Sequence, residues 1–95
     1  GVNGGSNLFP SLYVQLYQAA ASGDLPTLRR LHARVNDISQ RLYSTGTYGS
    51  SYMQGLKCSA AQLGLCRNVL APPYEPFAID QVETIRRHLG ALGAL

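Results

Sequence analysis

Leu28, Leu31, Val35, Ile38 and Leu42 follow one another at spacings of three, four, three and four residues. At 3.6 residues per turn all five fall on one stripe of a single helix, the clearest periodic signal in the chain. Asp24 stands ready as its N-cap, Pro26 falls in its first turn, and Gly46 is expected to end it after about twenty residues. Burying five such side chains gains less than ordering the helix costs in conformational entropy. The stripe therefore has to lie against a larger body.

Three further helices bracket it. Pro10 suits a first helical position, Tyr13, Leu16, Tyr17 and Ala20 share a face behind it, and Gly23 is placed as the residue just past the end. After the polar loop Ser44–Ser51, a serine at 50 or 51 can cap a helix running through Met53, Leu56, Ala60 and Leu63 and closed by Gly64. Cys66–Phe77 carries Pro72, Pro73 and Pro76 and cannot be helical. Asp80 with Glu83 resembles a capping box without the hydroxyl, and Val82, Ile85 and Leu89 line a last helix that Gly90 is expected to end.

Hydrophobic residues make up 45% of the 95-residue chain and charged residues only 14%, against about a quarter in an ordinary domain. So few charges imply that much of the surface meets other protein. The net charge of +3 comes from arginine, Lys57 being the single lysine. Arg29, Arg30, Arg34 and Arg41 share one predicted helix and Arg86 and Arg87 another, without the aromatic or glycine interleaving of a nucleic-acid surface, so no nucleic-acid partner is expected. No apolar run approaches the roughly 20 residues that span a bilayer. No membrane partner is expected, and the default location is cytoplasmic. Cys58 and Cys66 lack metal-ligand spacing and read as buried small hydrophobes in a reducing compartment.

The opening GVNGGSNLFP sets Gly1, Gly4 and Gly5 between the apolar Val2 and the helix start at Pro10. Glycine lets the backbone turn sharply or approach a ligand closely, and a helix N-terminus directly downstream directs free N–H groups and a positive dipole end at the same spot. Strand, glycine turn and helix start together can receive a carboxylate or phosphate, as the loops after late strands of a (β/α)8 barrel do. Gly1–Leu8 is read as such a strand and its pocket-facing loop. A plain loop, a linker and an anion-binding regulatory site built on Gly4 and Gly5 are the competing readings of this stretch.

No catalytic constellation can be assembled. His32 lies beside the stripe and His88 near the end of the last helix, where surface roles suffice. No carboxylate pair stands in a loop, and Lys57, the sole amine available for Schiff-base chemistry, is placed on a helix toward solvent or a partner charge. No metal and no cofactor are expected.

The order of these features carries a resemblance. Gly1-Val2, then Gly4-Gly5-Ser6-Asn7-Leu8-Phe9-Pro10, is followed by a helix ending Ala21-Ser22-Gly23-Asp24-Leu25 and by the leucine-striped helix. Gly55-Leu56-Lys57 then precedes Gly64, with Pro73 and Pro76 behind. Over essentially the whole chain this resembles the C-terminal third of the dihydrodipicolinate synthase/N-acetylneuraminate lyase family. The resemblance implies an α/β fold, the C-terminal fragment of a (β/α)8 barrel, the fragment itself being mainly α. Residues 1–22 would be the last barrel strand, the pocket loop and the following helix, and residues 23–95 the C-terminal helical extension. It implies a class I aldolase or lyase that forms a Schiff base between pyruvate or another 2-keto acid and a barrel lysine, assembled as a homo-tetramer. Val2, Asn3 and Gly4 would bind substrate. The family's reactive lysine, tyrosine and threonine motif lie on earlier strands, so no residue of this chain is catalytic, and Lys57 does not match the lysine's position.

One departure bears on the branch. Synthases often carry an arginine two residues before the proline matched here by Pro73, a place held here by Ala71. The glycine-rich opening, without a Ser/Val/Thr run, is more similar to the 2-keto-3-deoxy-sugar-acid aldolases. A barrel needs about 250 residues, so the chain is read as a segment that completes the barrel and is inactive alone. The alternative is a free-standing helical interaction module with a disordered glycine-rich start.

Overall fold

The structure, a computed structural model, describes residues 3–47 and 49–95. A 3-10 turn at Gly4–Asn7 leads into four α-helices: α1 (Pro10–Ser22), α2 (Leu25–Leu42), α3 (Ser51–Gln62) and α4 (Ile79–Ala91). The described residues are thus mainly helical and include no strand. The chain divides into two compact units, Gly1–Asp37 and Ile38–Leu95.

In the first unit, the described part of Gly1–Leu8, expected as a strand and its pocket-facing loop, holds a turn and no strand. Asn3 is extended, with φ −101° and ψ 115°, but the chain turns over at once into the 3-10 turn. A strand leaves its N–H and C=O groups to be paired by neighbouring strands. With no strand among the described residues to pair with, Gly4–Asn7 bonds locally instead. The turn packs on α1, with Gly5 and Leu8 buried.

α1 starts at Pro10 and ends where Gly23 takes a left-handed φ of 74°. Its buried side differs from the expected one. Ala19 is buried and Leu12, Tyr13 and Leu16 are half-buried, whereas Ala20 is exposed and Tyr17 is 76% exposed. Leu12, Leu16 and Ala19 form a competing stripe at i, i+4 and i+7, and the helix turns that stripe inward. α2 follows directly, capped as expected: the Thr27 N–H donates to Asp24 Oδ1 at 3.3 Å. Of its stripe, the first unit holds Leu31, which is buried, and Leu28 and Val35, which are half-buried.

The second unit is built around Ile38, Leu42, Cys58, Ile85 and Leu89, all essentially inaccessible, with Phe77 and Leu92 beside them in the core. α2 ends at Leu42, four residues before Gly46. Two hydroxyls of the next residues take carbonyls of its last turn, Thr45 Oγ1 donating to Arg41 O at 2.9 Å and Ser44 Oγ to Ser39 O at 3.4 Å. Gly46 serves close packing instead: a Cβ there would lie 2.6 Å from Ser51 Cβ and 3.1 Å from Phe77 Cε1.

α3 begins next to Ser50, as expected, although the Ser50 hydroxyl donates to Gln54 Oε1 at 3.2 Å and not to the backbone. Its buried face is Gly55, Cys58 and Ser59. The expected line Met53, Leu56, Ala60 and Leu63 is exposed at Met53 and half-buried at the rest. The close approach of Gly55 to the Leu42 carbonyl fixes the rotation of the helix and brings small residues to the inside. α3 packs against α4.

The proline stretch between them is irregular, and Gln54 Nε2 holds it to the first turn of α3 by donating to Glu75 O at 2.9 Å. α4 opens one residue before Asp80. Its N-cap is Ala78, whose N–H donates to Gln81 Oε1 at 3.1 Å. Alanine has no side-chain acceptor, so only the return half of a capping box exists, and Gln81 takes the role expected of Glu83. α4 also runs past Gly90. It stops at Gly93, φ 77°, where the Ala94 N–H reaches back to Leu89 O at 2.9 Å and Leu92 is drawn into the core. Gly23 and Gly64 close α1 and α3 in the same way, with Asp24 N–H to Ala19 O at 2.9 Å and Leu65 N–H to Ala60 O at 3.0 Å. A mid-helix glycine is tolerated; the stop requires the left-handed turn.

Candidate functional site

Of the three residues expected to bind substrate, Val2 lies outside the described residues. Asn3 and Gly4 adjoin at the mouth of the 3-10 turn, Asn3 exposed and Gly4 half-buried. The Asn3 carbonyl accepts from the Ser6 N–H at 3.1 Å and from the Ser6 hydroxyl at 2.6 Å. Asn7 Nδ2 donates to Gly4 O at 2.9 Å, and the N–H groups of Leu8 and Phe9 both donate to Gly5 O at 3.0 Å. The backbone donors of Ser6, Leu8 and Phe9 and the side-chain donors of Ser6 and Asn7 are therefore engaged inside the turn, so the turn is held rigidly. What it presents outward is the Asn3 side chain, whose amide can both donate and accept. α1 adds its own start, with Pro10 in the first turn and no side-chain cap from Phe9.

The titratable groups are dispersed. His32 is exposed on α2, His88 is half-buried in the last turn of α4, and Lys57 is half-buried on α3. Hydrogen bonds from Thr27, from its side chain first and its backbone N–H second, hold the Asp24 carboxyl below the usual carboxylate range, with Arg30 assisting. This is the signature of a helix cap. Burial pushes the Cys58 thiol up. Cys66, expected to be buried, is exposed: it follows the left-handed turn at Gly64, outside the helix whose inner face holds Cys58. Both thiols are free. Among the described residues no three His, Cys, Asp or Glu side chains converge as metal ligands, and no helix is long and apolar enough to cross a membrane.

One feature of the first unit went unread in the sequence. A groove of about 470 Å³ is lined by Leu12 and Gln15 of α1 and by Arg30, Leu31, Ala33, Arg34 and Asp37 of α2. The i, i+4 pair Arg30 and Arg34 was its available signal, and arginines at that spacing on a surface helix are ordinary.

The geometry can be set beside known proteins. A family model for the dihydrodipicolinate synthetase family matches residues 1–92. The 4-hydroxy-tetrahydrodipicolinate synthase of Bartonella bacilliformis is 29% identical over 90 residues, which are 95% of this chain and 29% of that protein. The enzyme of the same name from Methanopyrus kandleri is 28% identical over 90 residues, 95% of this chain and 28% of its own length. A dihydrodipicolinate synthase structure from Bacteroides thetaiotaomicron superposes with a TM-score of 0.92 at 44% identity, covering 96% of this chain and 30% of that one. The chain thus spans under a third of the proteins it matches, and it belongs to the dihydrodipicolinate synthetase family.

Proposed function

We propose that this chain is the C-terminal segment of an aldolase or lyase that makes or breaks a C–C bond through a Schiff base with pyruvate or another 2-keto acid. The observation that carries the reading is the superposition of 96% of the chain on 30% of a synthase at 44% identity. Residues 1–22 bring the pocket loop and the helix behind the last strand of a (β/α)8 barrel, and residues 23–95 form the helical extension. Val2, Asn3 and Gly4 supply one wall of the substrate pocket, since residues at the C-terminal end of a barrel strand face the active site. The internally bonded turn at Gly4–Asn7 holds that wall in place.

The reactive lysine belongs to the preceding part of the barrel, and this segment alone is inactive. The complete enzyme is a cytoplasmic homo-tetramer that uses no cofactor and binds no nucleic acid. Ala71, standing where synthases often carry arginine, and the glycine-rich opening favour a sugar-acid aldolase activity over dihydrodipicolinate formation.

Borohydride trapping with pyruvate tests the assignment. The 95-residue chain should take up no adduct, and the parent protein should take up one on a lysine preceding Gly1. A pyruvyl adduct on Lys57 of the isolated chain, or none on the parent, would overturn it. Assaying the parent with 2-keto-3-deoxy sugar acids then decides the branch: no cleavage of any of them removes the sugar-acid reading.

A further inference from the structure

We draw no further inference here: the strongest candidate, the groove of the first unit lined by Leu12, Leu31, Arg30 and Arg34, is an apolar cleft with charged neighbours, and nothing in the structure shows what covers it.

Discussion

Gly55 lies directly against the backbone carbonyl of Leu42, and a Cβ at position 55 would run into that oxygen. The obstacle is main chain, which cannot swing aside as a side chain can. Gly55→Ala should therefore destabilise the second unit by at least the ~1–3 kcal/mol typical of overpacking. Gly90 supplies the control. It also sits inside a helix, but a Cβ there would meet nothing within 4 Å. Gly90→Ala should stabilise by about 0.5–1 kcal/mol through helix propensity alone. Denaturant unfolding of both variants checks the contrast, and a Gly55→Ala variant as stable as Gly90→Ala would refute the close approach.

The Asp24 cap carries a pH dependence. Its folded-state pKa lies below the ordinary carboxylate value because the Thr27 hydrogen bonds favour the charged form. The cap's contribution is then fully present above the ordinary value and fades as pH falls through the lowered one. Asp24→Asn keeps a good capping oxygen while removing the titration. An acid titration followed by far-UV circular dichroism should show α2 losing helicity at low pH in the wild type, with a smaller acid limb in Asp24→Asn. Identical acid limbs would show that the cap does not titrate as stated.

The two cysteines should separate cleanly. Cys58 is inaccessible and its thiol is pushed up by burial, whereas Cys66 is exposed. The thiolate is the nucleophile, so a maleimide at neutral pH should label Cys66 alone in the folded protein and both positions in denaturant. Peptide mass spectrometry reads the sites directly. Rapid labelling of Cys58 under native conditions would mean that the α3–α4 core opens readily.

Where the sequence was read correctly, the signals were local. The cap at Asp24, the stops at Gly23 and Gly64 and the stripe from Leu28 to Leu42 all depend on neighbours within a few residues. The failures were of another kind. Which side of α1 and α3 is buried depends on partners distant in sequence: Gly55 turns α3 by what it meets at Leu42, and no periodicity in α3 reports that contact. Gly46 and Gly90 looked like helix stops because glycine often is one. Gly46 is instead required by Ser51 and Phe77, and Gly90 by nothing within reach. The proposal of a pocket loop rests only on likeness to a family. A Gly-Gly-Ser-Asn run alone is equally a turn, and over its described residues it is one.

The exposed apolar side chains bear on whether the segment stands alone. Tyr17 is 76% and Val14 54% exposed, one turn apart on α1, and Ile79 at the start of α4 is 77% exposed. Large exposed apolar residues grouped on one helix face mark a contact surface. The isolated chain should accordingly bind a hydrophobic dye and self-associate in size exclusion. Val14→Glu with Tyr17→Lys, an i, i+3 pair of opposite charges, should reduce that association while leaving helicity intact. Leu89→Ala, by contrast, removes a fully buried side chain and should cost about 2–5 kcal/mol wherever unfolding is cooperative. A compact, cooperative, dye-silent monomer unaffected by the α1 double substitution would mean that the chain is a self-sufficient helical module, and the barrel-segment reading would fall.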